Sequence, residues 1–137
     1  MFLRAALLAA LLALFPYQMS IDPLLNRQDV QRAITRVWEE TRAKSDGTEY
    51  CFTVENQNIV FYTGKPYSCT MDVSGDMDAT FHTHPTESAE QPSALDREDA
   101  ERIGIPFYVI SKRAIWVAMP DGTAHLVLLR GSQDADY

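Results

Sequence analysis

The apolar residues of this chain change period along its length, and that succession leaves few folds open to it. Val30, Ile34, Val37 and Trp38 recur at helical spacing, with Arg27, Arg32, Glu39 and Arg42 elsewhere on the wheel. Asp22-Pro23 reads as the cap and start of this helix, and Lys44-Ser45-Asp46-Gly47 as its end. Two β-rich runs follow, Tyr50 to Val54 and Ile59 to Tyr62, around a polar turn, and these read as a hairpin. Gly64-Lys65-Pro66 opens a further extended stretch from Tyr67 to Met71, and Ser74-Gly75-Asp76 is a loop. Ala79 to His84 is a short strand that Pro85 ends. After the polar loop Thr86 to Gln91, Ser93 to Ile103 reads as a second helix with Gly104 just beyond it. Pro106 to Ser111 is an apolar strand, and Ala114 to Met119 and Ala124 to Leu129 flank a Pro-Asp-Gly-Thr turn. The expected fold is a single α+β domain: a mixed, mostly antiparallel sheet flanked by two helices.

A length of 137 residues suits one domain. Nineteen acidic residues against twelve Lys and Arg give a net charge of -7, poorly suited to a phosphate backbone, so nucleic acid is not an expected partner. Two cysteines exclude a four-cysteine zinc site and a dense disulfide scaffold. Cys51 and Cys69 both fall in segments read as strands. One disulfide and two small buried thiols are both open.

Arg4 is the only charge before Asp22, and Ala5 to Phe15 is an apolar run of eleven residues. A bilayer-spanning helix needs roughly 20. Residues 1–20 therefore read as a secretory signal peptide, residues 21–130 as the folded domain and residues 131–137 as a flexible tail. The expected location is periplasmic or secreted. An uncleaved N-terminal anchor is one rival and the only membrane contact foreseen. The other is a true start at Met19, which makes the protein cytoplasmic.

Two of the three histidines form His82-Thr83-His84-Pro85. Residues i and i+2 of a strand share a face, so both imidazoles can converge on one ion. Asp96 follows His84 by twelve residues, in the first turn of the second helix, and a loop that folds back brings it to the same point. Two His and one Asp suit Zn²⁺ and leave a fourth tetrahedral position for water. Such an ion lowers the pKa of that water to roughly 7 and polarises a carbonyl. A hydrolase also needs a proton acceptor. Glu49, which opens a strand after the first helix, is the choice ahead of Glu39, Glu40 and Glu55. Ser93 is placed to donate a hydrogen bond to a developing oxyanion.

His82-Thr83-His84-Pro85, a gap of seven residues, and Ser93-Ala94-Leu95-Asp96 together resemble the signature of the JAMM/MPN zinc metallopeptidases, in which a Glu lies upstream. The resemblance extends over roughly residues 28–130. It implies a JAMM/MPN-like fold, zinc on His82, His84 and Asp96, Glu49 as acid/base, and Ser93 as stabiliser of the tetrahedral intermediate. The implied substrate is a peptide, an isopeptide or, for an exported chain, a crosslink of the cell envelope. A non-catalytic module of the same fold and an exported toxin or effector hydrolase are the alternatives. Little room is left for insertions that would grip ubiquitin.

Each residue also has a plainer reading. Ser93 and Asp96 are spaced as a capping box. Asp99 is the rival third ligand and otherwise a solvated first-turn acid. His125 is expected to be an ordinary sheet histidine, Trp38 and Trp116 core residues, and Asp72, Asp76 and Asp78 a solvated loop rather than a calcium site.

Overall fold

The computed structural model of the chain describes residues 22–72, 75–85 and 90–130. The expected leader (1–20), the tail (131–137), Ser74 and residues 86–89 of the polar loop lie outside the described residues. The elements run α1 (Gln28–Lys44), β1 (Thr48–Glu55), β2 (Asn58–Pro66), β3 (Met77–Thr83), α2 (Ala94–Ile103), β4 (Phe107–Ile110), β5 (Ala114–Ala118) and β6 (Ala124–Leu129). The six strands form one mixed sheet in the order β2-β1-β3-β4-β5-β6. Every pairing is antiparallel except β3 with β4, which is parallel. A parallel pair needs a long crossover, and α2 supplies it. Among the described residues this is the α+β domain the apolar periods imply.

The period of two gives the sheet two different faces. Tyr50, Phe52 and Val54 of β1, Ala79 and Phe81 of β3, and Tyr108 and Ile110 of β4 share the main core with Val30, Ala33, Ile34, Val37 and Trp38 of α1. Phe52, Phe81 and Tyr108 stack across three neighbouring strands, with ring centroids 4.5 and 4.4 Å apart. Burying such a side chain contributes about 1.5–3 kcal/mol. The opposite face carries Cys51 and Thr53 of β1, Thr80 and His82 of β3, and Phe107 and Val109 of β4. There α2 covers only the β4–β5 end, where Ala100 meets Phe107 and Ala118. The β1–β3 end of that face is left for a site.

Thr83 lies between the two histidines and points the other way, toward α1. Its Oγ1 is 2.6 Å from Thr41 Oγ1 and accepts the Tyr50 N–H at 3.0 Å. All of these groups are buried. Thr83→Val would strand the Tyr50 donor and the Thr41 hydroxyl in the core. A loss of about 2–3 kcal/mol is expected in urea unfolding. A change under about 0.5 kcal/mol would show that this knot does not hold the end of β3.

Two expectations are corrected. Asp22-Pro23 does not start α1; the helix begins at Gln28, with Arg27 in the cap position and no side-chain cap. The Asp22 carboxylate is engaged elsewhere, accepting the Leu24 N–H at 3.0 Å and the Tyr108 hydroxyl at 2.5 Å, so residues 22–26 form a turn tied to the sheet. The other end of the helix is where it was expected, within Lys44-Ser45-Asp46-Gly47, with Ser45 left-handed at φ 49°. Tyr67 to Met71 is not a strand. β2 continues through Gly64 to Pro66, and the chain then reverses, with Lys65 and Ser68 exchanging backbone hydrogen bonds. Cys69 is therefore in a loop, and a disulfide joins it to Cys51, with Cα atoms 6.2 Å apart. The reversal puts Cys69 across from β1, which no local pattern encodes.

Candidate metal centre

His82 and His84 stand at the C-terminal end of β3, beside the parallel partner β4. That edge of a parallel pair is where a crossover helix opens and ligands find room. His82 occupies a regular ladder position opposite Cys51 and Val109. His84 lies one residue past the strand, yet its N–H still bonds Ile110 O at 2.9 Å. Both rings are buried, at 6 and 7% exposure. Ser93 and Asp96 form a complete capping box: Ser93 Oγ accepts the Asp96 N–H at 3.1 Å, and Asp96 Oδ2 accepts the Ser93 N–H at 2.8 Å. The cap and the candidate ligand are thus one residue in two roles. Capping fixes the carboxylate that faces the histidines.

The three side chains converge. His82 Nε2 is 3.1 Å from Asp96 Oδ1 and 3.1 Å from His84 Nε2, while His84 Nε2 is 3.4 Å from Asp96 Oδ2. One ligand atom from each lies within 4.8 Å of the others. Three electron-rich atoms this close need positive charge among them, either protons or a cation. Imidazole and carboxylate donors sit about 2.0–2.1 Å from a tetrahedral ion, which separates them by roughly 3.3–3.4 Å. The contacts of 3.1–3.4 Å, which reach different oxygens of Asp96, lie near that separation. The donor set itself serves several first-row divalent ions, zinc among them. His82 Nδ1 is buried and lacks a hydrogen-bond partner among the described residues. The hydrogen-bonding contacts described for this ring are all at Nε2.

Burial pushes the Asp96 carboxyl up. Hydrogen bonds with His82 and His84, the His82 charge and the Ser93 N–H outweigh it and hold the group well below the usual carboxylate range. Glu49 goes the other way. Burial raises its pKa, the charges on His82 and His84 oppose that, and the Asp96 carboxylate adds to it. Two carboxyls of one groove are thus driven apart, Asp96 down and Glu49 up.

Glu49 faces the groove because alternation along β1 puts it on the side of Cys51, opposite Tyr50, and a bulge of β2 lies across from it. Thr48 pairs with Pro66 but Tyr50 pairs with Thr63, so Gly64 and Lys65 together oppose Glu49. Bulges recur beside active sites. Only glycine fits at 64: an added Cβ would collide with the Glu49 carbonyl oxygen and lie 2.6 Å from Ser68 O. The groove has a volume of about 560 Å³ and is lined by Glu49, His82, His84, Ser93 and Asp96 among others. The structure thus brings all five singled-out residues to one place.

The rival residues fall elsewhere. Glu39 and Glu40 ride on α1, behind the sheet, where Glu40 pairs with Arg36. Glu55 is at the far end of β1, bonded by Thr53 and Tyr62. Asp99 lines the groove but pairs with Arg102 at 2.8 Å. His125 is exposed on β6, 2.8 Å from Thr123 Oγ1. Trp38 is core, while Trp116 is only half-buried. The wall formed by residues 67–71 was not foreseen. The Cys51 and Cys69 pair was the one sequence signal that could have placed it.

No family model, no curated protein and no solved structure matches this chain.

Proposed function

We propose that the chain is a zinc-dependent metallopeptidase or isopeptidase with a JAMM/MPN-like fold. The observation that carries this reading is the convergence of His82, His84 and Asp96 in a groove that also holds Glu49. His82, His84 and Asp96 would hold the ion, which when bound supplies Lewis acidity, lowering the pKa of water and polarising a carbonyl. Glu49, desolvated and therefore a weak acid, takes a proton from the attacking water and returns it to the departing amine. The water oxygen adds to the carbonyl carbon to give a tetrahedral oxyanion, whose collapse breaks the C–N bond as the amine takes the proton from Glu49. Ser93 accepts the Asp96 N–H with an oxygen lone pair, so its own proton is available to the oxyanion on the attacked carbonyl. The Cys51–Cys69 disulfide supports the reading that the protein works in an oxidising compartment, periplasmic or secreted.

The test is hydrolysis of a mixed peptide library by the purified protein before and after chelation. Cleavage that stops on chelation and returns with stoichiometric zinc is the expected result. Hydrolysis indifferent to chelator, or none by the zinc-loaded protein on peptide and isopeptide substrates alike, would overturn the proposal.

A further inference from the structure

The exposed large apolar residues of the described chain include Tyr67 and Leu95, 73 and 63% exposed, and both line the groove that holds the histidines. They stand on opposite walls. Tyr67 belongs to the turn after β2, which the Cys51–Cys69 disulfide ties to β1. Leu95 is in the first turn of α2, which lies over β4 and β5. β3, with the histidine pair, runs between. Met71, Met77 and Phe107 add apolar side chains to the same lining.

Tyr67 is held there at a cost. Its φ is +63°, left-handed for a bulky residue. Three things hold it: its N–H bonds Gly47 O at 2.9 Å, its ring lies against Gly47, where an added Cβ would meet the ring at 3.1 Å, and the disulfide anchors the chain two residues on. A strained backbone that leaves most of a ring exposed at a groove is an outlier from which a recognition role is inferred. The charges in the groove narrow what it takes. Glu49, Asp96 and Asp99 are acidic, and the Arg102 guanidinium is paired with Asp99. An anionic substrate segment finds little to bind there beyond an ion at the centre.

We infer that Tyr67 and Leu95 are the two jaws of a specificity site that grips a large apolar side chain of an extended peptide next to the scissile amide, and that the disulfide carries the Tyr67 jaw. This rests on the hydrolase reading, since it takes the groove as the place of the substrate. Sulfur and aromatic groups along the floor suit a side chain such as Leu, Phe or Met.

The test is binding, independent of turnover. Fluorescein-labelled hexapeptides centred on Leu, Phe, Gly, Asp or Lys are titrated by anisotropy into zinc-loaded Glu49→Gln protein. The apolar-centred peptides are expected to bind at least about tenfold tighter than the Asp-centred one. Tyr67→Ala and Leu95→Ala, each in that background, are expected to weaken the apolar peptides about five- to tenfold and leave the Gly-centred peptide unchanged. Leu95 is exposed on a helix, and alanine favours helix, so this variant keeps the fold even if Tyr67→Ala disturbs its loop. Reduction of the disulfide is expected to mimic Tyr67→Ala without loss of zinc. Equal affinity for all five peptides, no binding of any, or unaltered affinity in Leu95→Ala would overturn the inference. Apolar-selective binding by a protein that, as wild type, cleaves nothing would leave the jaws standing and remove the hydrolase reading.

Discussion

Glu49→Gln is expected to cut hydrolysis by about 10²–10⁴-fold while making the metal-free protein more stable at neutral pH. The two effects share one cause. Glu49 lies on the groove side of β1, and burial there penalises its charge. A carboxyl whose folded pKa is raised stabilises the fold below its ordinary value of 4.5, and loses that contribution as pH climbs through the raised one. At pH 7 the ionised Glu49 is therefore a burden that glutamine lifts. The thermal midpoint of metal-free Glu49→Gln should exceed that of the wild type at pH 7 and converge with it below about pH 4, where both side chains are neutral. The comparison belongs on metal-free protein, because a bound cation inverts the local preference for charge. An activity loss with no gain in stability would mean that Glu49 is solvated, and a gain in stability with activity intact would remove it as the base.

Asp96→Asn is the second large effect, and it acts in the opposite sense on stability. The carboxylate takes hydrogen bonds from the Ser93 N–H and interacts with both imidazoles, and its pKa is held far below the ordinary range. A depressed carboxyl stabilises the fold above its unfolded pKa, and that contribution is lost as pH falls through the folded one. The amide cannot satisfy two imidazoles and the helix cap together. Metal affinity should fall at least about 100-fold, and the metal-free protein should lose stability at pH 7 because the charge that both imidazoles stabilise is gone. Below about pH 3, where the wild-type carboxyl begins to lose its advantage, the gap should narrow. Urea unfolding across this pH range, with zinc titration at pH 7, reads both quantities.

Much of this architecture was legible because the sequence writes it locally. The 3.6-residue period of Val30, Ile34, Val37 and Trp38 gave α1 its buried face, and the alternation in β3 put His82 and His84 on one side with Thr83 on the other. The Ser93–Asp96 spacing encoded the cap and thereby the place of the carboxylate. What stayed hidden depends on contacts distant in sequence. Asp22 pairs with Tyr108, 86 residues away, so an apparent helix start became a tether. The stretch 67–71 has strand-like composition, but Pro66 lacks a donor and Cys69 is bonded to Cys51, and these bend it into the wall of the groove. The bulge opposite Glu49 is likewise invisible in composition, although Gly64 marks the place where two backbones touch.

The most direct test is the zinc content of the purified protein, measured by plasma emission spectrometry beside the His82→Ala and Asp96→Asn variants. One equivalent of zinc per wild-type chain, and well under a tenth in either variant after identical dialysis, is the result this account predicts. A folded wild-type protein that takes up no zinc from micromolar solution, or holds as much as the variants do, would contradict it.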